Sequence, residues 1–331
     1  MKKKKIIKYT VLSLMAVILA VVGVGAISFY KSYQATLSDI SVPHNNNDVV
    51  AKTPPVEEEE VVEPPKEEEL ELDDNILEKP FAMLLYGLDV RPGENPKYSR
   101  TDTIMVALVD PVTEKVSLIS IPRDSYVQIP GYKKAKINSS IVKGGPELTI
   151  KTINQWLGTD IKEYAAIDFV GFEEVIDEIG GLDLNVDKSL HHGGVHLEPG
   201  FQHLNGEQTL IFVRHRLDER GAKYHSTDYD RMERQQYVLK ELSKELLSFK
   251  TLFQINDMME IVSDHTQTTL TPAEMNSLVK KFIDFDSEDL STTSIQGNSI
   301  RINGGWYEDV PQSEVQRVQT LVDNFMDRTQ Q

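Results

Sequence analysis

Phe81-Ala-Met-Leu-Leu-Tyr86, closed by Gly87-Leu88-Asp89, is an apolar run of strand length that ends at a glycine. A short unbroken apolar run with such a stop reads as a strand buried on both faces. Two more follow, at residues 103–109 and 115–121, joined only by Asp110-Pro-Val-Thr-Glu114. So short a link demands an antiparallel hairpin. Pro122 ends the third strand, and Tyr126-Val-Gln-Ile129 is a fourth, stopped by Pro130-Gly131. Beyond it helices alternate with strands. Residues 146–157 form a helix with Pro146 in its first turn and Gly158 at its C-terminal cap. Residues 164–168 form a strand, 170–179 a helix closed by Gly180-Gly181, and 182–186 a strand. Helices are expected at 206–213, from about 229 to 249, from Thr271-Pro-Ala-Glu274 (a capping box) to about 285, and at 312–326. This interleaving predicts an α/β fold, a three-layer α/β/α domain on a mixed central sheet, covering residues 81–331.

The chain has 331 residues and a formal net charge of −17, unevenly distributed. Residues 1–33 carry six lysines and no acid, and residues 34–80 carry fourteen acids and three lysines. An acidic protein of this kind is a poor partner for nucleic acid. There is no cysteine, which excludes disulfides, thiolate nucleophiles and cysteine zinc sites. Residues 11–29 hold no charge, about the length a helix needs to cross a bilayer. Lys2, Lys3, Lys4, Lys5 and Lys8 precede this run, so the positive-inside rule keeps residues 1–10 as a cytoplasmic tail. The expected organisation is a membrane span at 11–33, an extracellular Pro/Glu-rich stalk at 34–80, then the folded domain outside the cell membrane. A cleaved signal peptide is the alternative for the apolar run, and it too exports the domain.

Charged residues then gather in two blocks. The first contains Asp89, Arg100, Asp102, Arg123 and Asp124, all at strand ends, where ligands collect in α/β sheets. Two carboxylates such as Asp89 and Asp102 can hold a hard cation on a diphosphate, but either can equally cap a turn. In a hairpin the end of the second strand returns beside the start of the first, so Arg123 should neighbour Asp102, as a salt bridge or as part of a site. The second block is Arg214-His-Arg216 and Asp228-Tyr-Asp-Arg231-Met-Glu-Arg234-Gln235-Gln236. Arg231, Arg234 and Gln235 share one helix face, and two arginines on one face repel unless an anion lies between them. Arginine forks match phosphate oxygens, though a solvated charged face would read the same way. His191, His192, His196 and His203 invite a zinc reading, but Gly193-Gly194 breaks the helix that would align them, and loop histidines are usually only solvated.

Taken together and in order, these stretches resemble the LytR-CpsA-Psr family of cell-wall glycopolymer ligases. The matching pieces are Gly87-Leu-Asp89, Ser99-Arg-Thr-Asp-Thr103, Val116-Ser-Leu-Ile-Ser-Ile-Pro-Arg-Asp124, Lys136-Ile-Asn138, Asp168-Phe-Val-Gly-Phe172 and Ile179-Gly-Gly-Leu-Asp183. Pro199-Gly200, Leu204-Asn-Gly206, Arg214-x-Arg216 and Asp228-x-x-Arg231-x-x-Arg-Gln-Gln236 continue the series. The resemblance implies transfer of an anionic glycopolymer, wall teichoic acid or capsular polysaccharide, from a polyprenyl pyrophosphate carrier to peptidoglycan, as in Gram-positive cells. It implies Mg²⁺ or Mn²⁺ on Asp89 and Asp102. Arg100, Arg123, Lys136, Arg214, Arg216, Arg231 and Gln235 would bind the pyrophosphate, with Arg123, Asp228 and Arg231 catalytic. It also implies a groove for the lipid, with Ile150, Ile153 and Phe169 as candidates, although a core role is the stronger reading for each. The segment 218–228 is longer and more charged than the resemblance leads one to expect. Asp124 and Asp228 are alternative proton acceptors. A polyprenyl-pyrophosphate hydrolase and a non-catalytic module binding lipid-linked glycan are the competing functions for the same residues.

Overall fold

A computed structural model describes residues 78–89, 99–246, 261, 265–282 and 285–327. The expected tail, membrane span and nearly all of the stalk lie outside these residues. Among the described residues no helix is long and apolar enough to cross a membrane.

The fold is mixed α/β, centred on one mixed sheet. β1 (Phe81–Asp89) pairs antiparallel with β2 (Arg100–Asp110), which turns through residues 111–114 into antiparallel β3 (Lys115–Ser120). β6 (Glu163–Asp168) adds parallel to the other side of β1, and β11 (Thr266–Thr268) pairs antiparallel with β6. β12 (Leu290–Ser294) closes the far edge, parallel to β3. The order is β11-β6-β1-β2-β3-β12.

Strand side chains alternate between two cores, as a period of two requires. Ala82, Leu84, Tyr86 and Leu88 face one side. There they meet Ile141, Ile153 and Leu157 of α1 (Ser139–Leu157) and Val315, Val318, Val322 and Phe325 of α6 (Gln312–Met326). Met83 faces the other side, with Ala107, Leu118 and Ala165. Over that side lie α2 (Phe169–Glu178), α3 (Gly206–Arg214), α4 (Asp228–Leu246) and α5 (Pro272–Lys281). Each sheet face is therefore covered by helices.

Several expectations change. α1 begins at Ser139, upstream of Pro146, and breaks at Gly144 and Gly145, so the predicted start marks its second half. β4 is only Tyr126–Val127 and pairs with β5 (Ala135–Lys136). β7 (Leu182–Val186) leaves the central sheet to pair with β10 (Gly200–Leu204). β8 (Leu190–His192) and β9 (Val195–Leu197) form a hairpin around Gly193-Gly194, both with positive φ. The glycines that break a helix are thus the turn of a hairpin, and His191 stacks on His196 across it. β13 (Asn298–Ile302) and β14 (Gly305–Asp309) are a second unforeseen hairpin, turned by Asn303-Gly304. Both turn residues have positive φ, at 50° and 85°, which a type I′ turn demands.

Candidate active site

Most of the predicted site residues, Asp102, Arg123, Lys136, Arg216, Asp228, Arg231 and Gln235, converge at the end of the sheet where β1 finishes and β2 begins. Asp89 stands opposite Arg100 in the β1–β2 register, with one extra β2 residue between this pair and Gly87–Thr103. Such a bulge re-aims side chains at a strand end. Asp102 is partly buried and accepts a hydrogen bond from Arg123 Nη1. The hairpin argument for that neighbour relation therefore holds, with Arg123 three residues beyond the end of β3.

α4 brings in the second block. Its inward face reads Arg231, Arg234, Gln235, Val238 and Leu242, all buried. The first turns of this face cross the sheet end and are polar, and the later turns cover the core and are apolar. Asp228 sits at the first turn, where a carboxylate is favoured by the helix dipole. Three guanidinium groups surround it. Arg123 Nε is 3.6 Å from Oδ2, while Arg216 Nε at 3.6 Å and Arg231 Nη2 at 3.4 Å face Oδ1. Arg231 also donates to the Asp102 carbonyl at 3.1 Å. Asp124 lies beside Arg123 at 3.9 Å and accepts from Lys136 Nζ at 2.7 Å. Gln235 donates to Thr103 Oγ1 at 2.9 Å.

The charges are incompletely satisfied. Arg123 Nε, Arg231 Nε and Asp228 Oδ1 are buried without a hydrogen-bond partner. Arg231 is only 2% exposed. Its burial pulls its pKa below the ordinary arginine value, with Asp228 opposing and Arg123 adding to the fall. Burial acts the same way on Arg123, but Asp102, Asp228 and Asp124 outweigh it and raise its pKa. Both stay cationic at neutral pH. A buried cationic nitrogen with no acceptor costs stability, and an anion with several oxygens would remove that cost.

Arg214 lies apart from this group, its guanidinium 3.7 Å from the centre of the Phe169 ring. Both residues line an apolar cavity of about 130 Å³ between the sheet and helices α2, α3 and α4. Leu85, Met105, Phe172, Leu210 and Val238 form its walls, while Gln235 and Arg214 are polar residues on its lining. Of the three candidates for a lipid groove, Phe169 lines this cavity. Ile150 and Ile153 pack into the core on the opposite face of the sheet.

Arg234 departs from the phosphate reading. It grips Asp187 through Nε and Nη2 at 2.8 and 2.9 Å and donates to Ser226 at 3.0 Å. Gln236 ties Ser120 of β3 to Thr293 and Ser294 of β12. The long charged segment 218–228 is itself a brace. Asp218 accepts from Arg220 Nε and Nη2 and from the His191 amide. The Arg220 bonds are the main reason its carboxyl is held far below the usual range. His215, fully buried between Arg214 and Arg216, joins Ser226 at 2.8 Å to Asp218 at 3.2 Å. Sequence reasoning passed over His215, Asp218 and Asp187. Arg214 ends α3 and lies over Phe169 while Arg216 faces Asp228, so the two arginines part at His215 and no simple alternation in the sequence marked its inward turn.

Among the described residues no group of three or more His, Asp or Glu side chains is placed to hold a metal ion. This includes the four histidines of the zinc reading. Asp89 and Asp102 are therefore a pair that would need oxygens from a ligand to complete a cation's shell.

A model of the LytR_cpsA_psr family matches residues 42–324. The polyisoprenyl-teichoic acid–peptidoglycan teichoic acid transferase TagU of Oceanobacillus iheyensis is 32% identical over 251 residues, covering 74% of this chain and 75% of TagU. The regulatory protein MsrR of Staphylococcus aureus is 38% identical over 192 residues, 57% of this chain and 56% of MsrR. The crystal structure of B. subtilis TagV shares 29% identity at a TM-score of 0.63, covering 75% of this chain and 98% of that one.

Proposed function

The chain belongs to the LytR-CpsA-Psr family, and from that premise we propose that it is a membrane-anchored transferase moving an anionic glycopolymer from a polyprenyl pyrophosphate carrier to peptidoglycan. The observation that carries the reading is the set of buried, unsatisfied nitrogens of Arg123 and Arg231 around Asp228. A diphosphate supplies the oxygens they lack. The apolar cavity under α2, α3 and α4 supports an apolar chain segment on the same substrate, since Arg214 and Gln235 line it and Gln235 neighbours Arg231 on α4. The glycopolymer named in the TagU relative, teichoic acid, is the cargo this reading favours over capsule. Anchoring rests on the uncharged run at residues 11–29, with the domain outside the cell.

In the proposed reaction an acceptor sugar hydroxyl attacks the phosphorus that bears the glycan. A new O–P bond forms, the bridging P–O bond breaks, and the bridging oxygen leaves on polyprenyl phosphate. The hydroxyl proton passes to a carboxylate, Asp124 or Asp228. Arg123, Arg216 and Arg231, with Arg100, Lys136, Arg214 and Gln235, hold the diphosphate and offset the charge growing on the leaving group. Asp228 keeps the guanidinium groups oriented until the substrate arrives. Asp89 and Asp102 fit Mg²⁺ or Mn²⁺ by donor type, being oxygen ligands on neighbouring strand ends. The ion, when bound, would neutralise diphosphate oxygens.

The test incubates the full chain with a polyprenyl pyrophosphate-linked glycan, Mg²⁺ and peptidoglycan oligomers. Transfer should be lost in Arg123→Ala and in Asp102→Ala. Full transfer in both variants defeats the assignment, and phosphate release without an acceptor at the same rate would make the protein a hydrolase.

A further inference from the structure

The cavity lies on one face of the sheet, under α2, α3 and α4. The other side of the charged site is different. There β4 and β5 belong with the opposite core, through Val127, Ile129 and Ile137, and the β13–β14 hairpin packs on them. Tyr307 meets Tyr126 edge-on at 5.1 Å. Backbone ties Ser125 to Glu308, and the Glu308 amide donates to the Asp124 carbonyl at 2.9 Å. The hairpin also touches α4. Tyr229, the residue after Asp228, accepts from the Gly297 amide at 2.7 Å and lies 3.4 Å from Glu308 Oε2. The hairpin is thus fastened to both Asp124 and the start of α4, at the rim of the site.

Its surface has a consistent chemistry. Trp306 is 57% exposed, and it shares a ribbon face with Glu308, two residues on. Arg301 lies over its indole at 5.7 Å. Lys136 lies over Tyr307, Lys134 over Tyr126 and Lys143 over Tyr132. Tyr126 and Tyr307, edged by Lys134 and Lys136, therefore stand beside Asp124, and the same hairpin carries the exposed Trp306 with Arg301 on its other face. Aromatic faces stack on the C–H faces of pyranose rings, and the cations select carboxylates.

We propose that the β13–β14 hairpin and the β4–β5 loop dock the acceptor, an amino-sugar chain bearing carboxylates, with Trp306 as the platform for one sugar ring. This rests on the transferase reading above and adds to it where the acceptor binds. In-line displacement at phosphorus requires the attacking oxygen opposite the leaving oxygen. The leaving group carries the lipid, which the cavity takes on one face. The acceptor must then come from the other side, where the hairpin stands. Lys136 joins the two, since it bonds Asp124 and lies over Tyr307.

The chain has two tryptophans, and Trp156 is half-buried against a core. In the full chain carrying Trp156→Phe, emission reports Trp306 alone. Titration with an N-acetylglucosamine tetramer and with a disaccharide-pentapeptide fragment of peptidoglycan should give a saturable emission shift, tighter for the carboxylate-bearing fragment. In Trp306→Ala the acceptor KM should rise about tenfold with kcat within about twofold, and Trp306→Phe should recover most of the loss. No emission change with either sugar overturns the proposal. So does an unchanged KM in Trp306→Ala, or a shift produced by anionic phospholipid vesicles and not by sugar, which would make the hairpin a membrane contact. If the intact chain transfers nothing, the transferase reading fails while the emission titration still decides the platform.

Discussion

Two arginine–aspartate clusters flank the loop 214–228, one around Asp218 and Asp187 and one around Asp228. In the first, Arg220 and Arg234 each give two nitrogens to a single carboxylate at 2.8 to 2.9 Å. In the second, the contacts to Asp228 are 3.4 to 3.6 Å, and buried nitrogens and an oxygen lack hydrogen-bond partners. The residue types are the same. A cluster whose hydrogen bonds close on each other is scaffold. One that holds its charges buried and unmet is paid for by the rest of the fold and is ready for a ligand.

Arg231→Met should break the comparison most visibly. Transfer is expected to fall about 10³-fold, because a donor to the developing charge is gone. Stability in urea should fall by no more than about 1 kcal/mol, since Arg231 Nε has no acceptor to lose and Arg123 and Arg216 still face Asp228. A large stability loss would make Arg231 scaffold like Arg234. The converse variant is Asp187→Ala, which leaves Arg234 buried without its carboxylate. Because Asp187 is half exposed, the loss in urea unfolding should be about 1.5 kcal/mol rather than the full cost of a buried pair, with transfer per folded molecule little changed.

The smallest effect is a pH dependence of the brace. Burial lowers the His215 pKa below the ordinary histidine value, against the opposing bond to Asp218. The folded state therefore prefers neutral His215. The stability that depends on it is fully present above the ordinary value of about 6.5 and declines as pH falls through and below it. The urea midpoint should drop across that window in the parent and less in His215→Asn. Asp218, with its depressed carboxyl pKa, contributes a separate loss only at more acid pH. Equal pH profiles in parent and variant would remove His215 from the brace.

The central strands were legible because β1, β2 and β3 are apolar on both faces and the link from 110 to 114 is short. β12 was not, because Leu290-Ser-Thr-Thr-Ser294 forms a polar edge strand with no apolar run. The β13–β14 hairpin carried a usable signal in Asn303-Gly304 that the helical and apolar patterns overshadowed. In the site, the meeting of Arg123 with Asp102 followed from hairpin geometry alone. The division between Arg231 and Arg234, three residues apart on one helix, did not. It depends on Asp187, which the β7–β10 ribbon brings from 47 residues upstream of Arg234, and no local pattern encodes that distance. Phe169 could not be separated from Ile150 and Ile153 as a lipid contact until the two cores were assigned to opposite faces.

The central claim is that the open cluster around Asp228 binds a diphosphate. Calorimetric titration of the full chain with polyprenyl pyrophosphate in Mg²⁺ tests it directly, comparing the parent with Arg123→Ala and with Arg220→Ala. The account predicts saturable binding in the parent, weakened at least about 100-fold in Arg123→Ala and retained in Arg220→Ala. Equal affinity in the parent and Arg123→Ala would contradict it.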